Sequence, residues 1–286
     1  MPSVTPITVF ERAWVLAALH RARLHIRVPV SLLDSLEHAV ANGPTGGAPG
    51  LPADADTTSV VISVLNDHGR PRSPAPLFDF ENGTHFFCWA DERTPSPTAN
   101  AHILTALARH TPDAASARGL HAISTITDWL CTRQAPDGSW TDKWHASPYY
   151  ATAGCALALA HHARPRAQPA IERALAWLLD TQRPDGSWGR WQGTAEESAY
   201  AVQTLLLAGD RSPGSPHTVA AIRARTLLAD AATTRCAQPP LWHDKDLYCP
   251  DAIVEAEILA AWHLTENRLR QARTAPGPRT GGPAHE

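Results

Sequence analysis

Apolar residues along this chain recur at intervals of three and four, the spacing that gathers them on one face of an α-helix. Ile171, Ala174, Leu178 and Leu179 show the pattern within a single stretch. Combined with helix start and stop residues, the periodicity predicts helices over about 9–22, 29–41, 56–67, 98–110, 118–133, 147–162, 168–181, 195–208, 216–229 and 250–267. No stretch alternates apolar and polar positions as a half-buried strand would. Residues 43–53, rich in Gly and Pro, and residues 68–97 read as long loops. Residues 273–286 read as a disordered tail, which leaves 1–272 as one all-α domain.

The helices are organised by a repeat. Gln134-Ala-Pro-Asp-Gly-Ser-Trp140 and Gln182-Arg-Pro-Asp-Gly-Ser-Trp188 are nearly identical and 48 residues apart. Each follows an apolar stretch ending in Trp-Leu and precedes an Ala/Leu-rich helix. Pro-Asp-Gly is turn chemistry, a fixed φ followed by a residue free to take positive φ. Weaker echoes at Trp89 and Trp242 give four tryptophans separated by 51, 48 and 54 residues. Helical hairpins repeated at this period form either an open solenoid or a closed α/α barrel. The Gln-to-Trp turns favour closure, with the Gln side chain capping one helix and the Trp ring packing on the next. Their role is structural.

Composition narrows the function. With 43% hydrophobic residues, the 286-residue chain can bury a sizeable core. A net charge of −3 argues against a nucleic-acid partner. The apolar runs are too short to span a membrane, and the N-terminus has no basic-then-apolar leader. Cys88, Cys131, Cys155, Cys236 and Cys249 are scattered, without a Cys-x-x-Cys; this suits a reducing cytoplasm and gives no zinc signature. Of 25 basic residues only Lys143 and Lys245 are lysines, and both stand in a Trp-x-Asp-Lys pattern.

The candidate chemistry lies in Leu51-Pro-Ala-Asp-Ala-Asp-Thr-Thr-Ser59, just before the apolar run Val60, Val61, Ile62, Val64, Leu65. Asp54 and Asp56 read either as ordinary helix-start residues, whose oxygens accept free N–H groups, or as a carboxylate pair with a chemical task.

The motifs together resemble the class II terpene cyclases, specifically their β domain, an (α/α)6 barrel shared with squalene–hopene cyclases. The two Gln-to-Trp turns match that superfamily's repeat. Asp54-Ala-Asp56-Thr57 takes the place of its Asp-x-Asp-Asp. Phe10-Glu-Arg-Ala-Trp14, Asp142-Lys-Trp-His-Ala-Ser-Pro-Tyr-Tyr150, Gly189-Arg-Trp-Gln-Gly-Thr-Ala-Glu-Glu197 and Leu241-Trp-His-Asp-Lys-Asp-Leu-Tyr-Cys-Pro250 resemble bacterial members, in order over residues 7–266.

The resemblance implies protonation of the terminal alkene of a linear prenyl diphosphate, farnesyl or geranylgeranyl, followed by closure to a bicyclic drimane- or labdane-type diphosphate. It assigns the proton to Asp56, with Asp54 as neighbouring partner and Asn100 orienting the acid. Thr57 stands where the family has a final Asp, a variant associated with fifteen-carbon substrates. Aromatic faces hold carbocations, and Tyr149, Tyr150, Trp144, Trp191 and Phe87 are the candidates. Lys143, Lys245 and Arg190 are candidates for the diphosphate, which family members bind with Mg2+; the chain itself shows no metal-ligand motif. The family's γ domain has no counterpart among the ten predicted helices, two short of a closed barrel. The expected alternatives are therefore a lone active barrel, or a non-catalytic or partner-dependent β subunit; self-association or a γ-type partner is expected over the open side.

Overall fold

The computed structural model describes residues 7–90, 92–110, 116–234, 238–243 and 247–274. Among the described residues it has eleven α-helices: α1 (Thr8–Arg21), α2 (Val30–Ala39), α3 (Ala55–Asp67), α4 (Pro97–Arg109), α5 (Ala117–Arg133), α6 (Pro148–His162), α7 (Arg164–Asp180), α8 (Ala195–Ala208), α9 (Pro216–Arg223), α10 (Arg225–Thr233) and α11 (Asp251–Thr274). A 3₁₀ turn at Ala75–Phe80 and a short antiparallel pair, β1 (Trp242–His243) with β2 (Leu247–Tyr248), add little regular structure. No helix among the described residues is long and apolar enough to cross a membrane.

Local sequence explains the helix starts. Ser96-Pro97, Ser147-Pro148 and Ser215-Pro216 each place a serine hydroxyl on a first-turn N–H and a proline where no N–H is needed. Boundaries follow the periodicity closely, with three differences. The helix expected at 216–229 is two helices joined at Ala224. The helix expected from 168 begins at Arg164, a start concealed by Pro165 near its N-terminus and Pro169 inside it. The last helix runs to Thr274, beyond the expected end at 267 and into the stretch read as a tail; residues 275–286 lie outside the described residues.

Helices α1, α3, α4, α6, α8 and α11 pack each against the next, and α11 returns onto α1. The inner ring is therefore closed. Helices α2, α5, α7, α9 and α10 pack outside it, and the link from α3 to α4 carries the 3₁₀ turn in place of a described outer α-helix. The gap expected from the helix count thus falls in the outer layer; the inner wall is complete. Neighbouring inner helices meet start to start and end to end: Asp56 touches His102, and Asp67 touches Arg109. All the starts lie at one end of the barrel.

The two Gln-to-Trp turns are superposable joints. Trp140 and Trp188 are fully buried and donate Nε1–H to the carbonyls of Leu130 and Leu178 at 2.9 and 2.7 Å. Gln134 Nε2 donates to Gly138 O and to Ala170 O, both at 2.8 Å; Gln182 Nε2 donates to Gly186 O at 2.9 Å and Ala220 O at 2.8 Å. Gly138 has φ +99°, and a Cβ there would stand 2.4 Å from Arg173 O. Trp89 and Trp242 do not share this geometry: Trp89 is 37% exposed, and Trp242 points into the barrel toward Glu196.

Candidate active site

The first turn of α3 carries the acid pair. Asp54 is the N-cap, and its Oδ1 accepts the Thr57 N–H at 2.5 Å. The Thr57 hydroxyl also bonds this carboxylate. Burial first, then the charge of Asp56, push the Asp54 pKa up to about 7, while the Thr57 bonds pull against that rise. A hydrogen-bond donor at position 57 supports the carboxylate, where a third acid would repel it. Asp56, one turn-step on, is less buried, and its Oδ1 lies 2.7 Å from His102 Nδ1 on α4. Burial thus favours a protonated Asp54 despite the helix N-terminus, which favours the ionised form.

The hydrogen bonds of Asn100 go to backbone and not to Asp54 or Asp56. Its Oδ1 accepts from Phe86 N–H, and its Nδ2 donates to the carbonyls of Phe86 and Ser96, all at 2.9 Å. Its amide is used up pinning the loop before α4, and His102, two residues along, makes the contact that Asn100 was expected to make.

An aromatic box adjoins the acid pair. His102 meets the Trp14 ring edge-on at 5.3 Å, and Trp14 Nε1–H donates to Tyr150 Oη at 3.3 Å. Tyr150 packs against His145 (4.9 Å), Trp242 (4.7 Å) and Tyr200 (5.5 Å). A cavity of about 350 Å³ follows the barrel axis, lined by Trp14, His102, Tyr150 and Tyr200 toward the helix starts and by Asp67 and Arg109 toward the ends. From Asp56 to Asp67 is eleven residues of helix, about 16 Å at 1.5 Å each. Sequence reading does not assign His102, His145, Tyr200 or Trp242 to the site; it takes Trp242 only as an echo of the repeat. The available signal was positional: His102, Thr105 and Arg109 fall on one face of α4.

The other expected site residues divide. Tyr150 is in the box. Tyr149 turns outward and packs on Trp177 of α7, 4.6 Å between rings. Phe87 stands on a loop beside His85. Trp144 meets Trp89 edge-on at 5.1 Å with Lys143 Nζ over its ring at 4.8 Å, and Trp191 is 63% exposed; both are on the rim, outside the cavity. Lys143 pairs with Glu92 and donates to Thr94 O at 2.8 Å, not with the preceding Asp142. Asp142 instead accepts from the Ser96 hydroxyl and from Thr98 N–H at the start of α4. Arg190 bonds Ala146 O and lies over Trp191. Lys245 lies outside the described residues. Among the described residues no cluster of three His, Cys, Asp or Glu side chains could hold a metal ion.

Comparisons with known proteins agree with this fold. Residues 87–228 match the squalene-hopene cyclase C-terminal domain. The chain is 46% identical over 271 residues to an ent-copalyl diphosphate synthase of Streptomyces sp. (strain KO-3988), covering 94% of this chain and 52% of that protein. It is 48% identical over 284 residues to a copalyl diphosphate synthase of Streptomyces anulatus, covering 96% and 50%. The solved ent-copalyl diphosphate synthase of Streptomyces platensis superposes with a TM-score of 0.88 at 48% identity, over 93% of this chain and 52% of that one. The type II terpene cyclase MstE from Scytonema shares the fold at 18% identity, with a TM-score of 0.69 over 91% of this chain and 88% of its own. The chain spans about half the length of the curated relatives it matches. With a closed α/α barrel, the repeated Gln-to-Trp joints and the acid pair at the start of α3, the chain belongs to the class II terpene cyclases of the squalene–hopene cyclase superfamily.

Proposed function

We propose that this barrel protonates the terminal alkene of a linear prenyl diphosphate and cyclises it to a bicyclic diphosphate, with the diphosphate retained. One observation carries the reading: Asp54, whose buried carboxyl is pushed up to a pKa of about 7, stands beside Asp56, and Asp56 contacts His102, which with Trp14, Tyr150 and Tyr200 lines a cavity inside a closed ring. Asp56 is the donor, Asp54 the partner that resupplies it, and His102 the group that aims it. Aromatic faces such as Trp14, Tyr150 and Trp242 each stabilise a passing cation by roughly 0.5–2 kcal/mol, more as water is excluded.

The twenty-carbon substrate and a labdane-type product are supported by the relatives, whose names specify copalyl and labdadienyl diphosphates. The fifteen-carbon, drimane-forming variant rests on Thr57 alone. Thr57 bonds Asp54 and, like Asp54 and Asp56, is not among the residues lining the cavity. Incubation with each diphosphate, phosphatase treatment and product analysis decides between them. Absence of any bicyclic product from either would overturn the reading.

The diphosphate would be met at the rim, where Lys143 and Arg190 stand; Lys143 would have to exchange Glu92 for the ligand. Mg2+ belongs to the proposal as an ion carried by the diphosphate, and no step is drawn through it. A cytoplasmic setting is supported by the free thiols of Cys88, Cys131, Cys155 and Cys249.

A second reading, the partner-dependent barrel, has its own observation. Leu51, Trp89 and Trp191 are exposed by 51, 37 and 63% in the loops before α3, α4 and α8, and Leu247 by 46% in β2, before α11. They put apolar surface on the single rim that holds the acid, the pattern of an end that is covered by protein.

A further inference from the structure

Glu196 is fully buried in the first turn of α8. In the ring order α1, α3, α4, α6, α8, α11, helices α3 and α8 are three places apart in either direction, so Glu196 faces Asp56 from the opposite wall. Its Oε1 accepts three hydrogen bonds, from Trp242 Nε1 at 2.8 Å, His145 Nε2 at 3.1 Å and Tyr200 Oη at 3.1 Å. Ser147 N–H donates to His145 Nδ1, which leaves the imidazole proton on Nε2, toward Glu196. Three donors converging on one oxygen are the surroundings of an anion. Oε2 is buried and has no partner.

A purely structural role explains this poorly. The start of α8 is already capped by its neighbour: Glu197 N–H donates to Thr194 Oγ1, and the Thr194 hydroxyl returns a bond to Glu197 Oε2. Glu196 is surplus to that box, and a buried oxygen without a partner is a cost that a neutral, better-satisfied side chain would avoid.

We propose that Glu196 is the proton acceptor that ends the cyclisation, reached through the hydroxyl of Tyr200; this rests on the cyclase reading above. Tyr200 lines the cavity and Glu196 lies behind it. The C–H bond beside the final cationic carbon breaks, and its electron pair becomes the C=C bond of the product. The proton goes to Tyr200 Oη, which passes its own proton to Glu196. Glu196 leaves the turnover neutral and returns its proton to solvent, while Asp56 takes one up. No oxidant or reductant is needed. A base on the wall opposite the acid also avoids quenching the first cation, which forms beside Asp56. Tyr200 is then a catalytic residue, and His145 and Trp242 are positioning residues for the carboxylate.

The test compares wild-type chain with Glu196→Gln and Tyr200→Phe, using the twenty-carbon linear diphosphate and product analysis after phosphatase. Alkene product should fall about 100-fold or more, with water-captured alcohol rising, and the double variant should be no worse than the worse single one. A folded Glu196→Gln giving the wild-type alkene at the wild-type rate overturns the proposal; if that variant fails to fold, the same result for Tyr200→Phe does so. Binding of a prenyl diphosphate analogue with a tertiary ammonium at the cationic carbon supplies a readout without turnover. Glu196→Gln, or Tyr200→Phe in its stead, should weaken it roughly tenfold, and unchanged affinity counts against Glu196. Wild-type chain that makes no bicyclic diphosphate, yet loses affinity for the ammonium on Glu196→Gln, would sink the cyclase reading and leave the anionic wall standing.

Discussion

Asp56 Oδ1 and His102 Nδ1 lie 2.7 Å apart across 46 residues of sequence, and this contact ties the start of α3 to the start of α4. It fixes the direction of a short, mobile-by-nature carboxyl with a rigid ring, and that ring is itself held edge-on by Trp14.

Replacing Asp56 by Asn keeps the shape and removes the proton. Cyclisation should fall by at least about 100-fold, the usual worth of an acid–base group, with an unchanged melting curve. Near-normal turnover in this variant would remove Asp56 from the mechanism. His102→Phe should lower kcat while leaving KM for the prenyl diphosphate nearly unchanged; a change confined to KM would assign His102 to binding instead.

The buried acid makes stability depend on pH. Asp54 has an ordinary pKa of 3.8 unfolded and about 7 folded. Between those values the folded chain holds a proton that the unfolded chain has lost, so stability falls as pH rises from about 4 to about 7. Melting temperature measured across that window should decline in wild type and decline less in Asp54→Asn. Equal slopes would show that Asp54 does not keep its proton.

The repeat joints carry stability. Trp140→Ala and Trp188→Ala should each cost roughly 3–5 kcal/mol, the range for emptying a buried large side chain. Gly138→Ala should also destabilise, because Cβ would stand 2.4 Å from Arg173 O at φ +99°. Denaturant titration checks all three. A Trp140→Ala chain with unaltered melting but no activity would move that tryptophan into the chemistry.

The exposed rim should be sticky. The chain is expected to self-associate or to take a second protein over the Asp56 end, and Trp191→Asp with Leu51→Asp should shift it toward monomer in sedimentation. A wild-type chain that is strictly monomeric and cyclises without alcohol by-products would show that the barrel needs no cover.

Much of this was legible in the sequence for reasons that are local. Helical periodicity and Ser-Pro starts depend on residues three or four apart, and the Gln-to-Trp joints are spelled out within seven. The two readings of Asp54, helix cap and member of an acid pair, turn out to be compatible: one oxygen caps α3 while burial holds the proton. What the sequence hid is angular. Successive helical residues point about 100° apart, so Tyr149 and Tyr150 look alike in sequence and face opposite layers. The same rotation separates Asn100, spent on Phe86, from His102, which reaches the acid. Glu196 was hidden differently, since nothing near it in sequence foretells the three donors that α8, a loop and β1 bring to it.

The common direction of the six inner helices gives the barrel an electrical polarity that belongs to its topology and not to any one side chain. Each helix start carries roughly half a positive charge, and the starts crowd the end where the acid and the apolar rim lie. A doubly or triply charged head group arriving there meets an attractive field before it meets a single lysine. Mutating rim cations one at a time should therefore slow capture only gradually, because most of the attraction is built into the backbone.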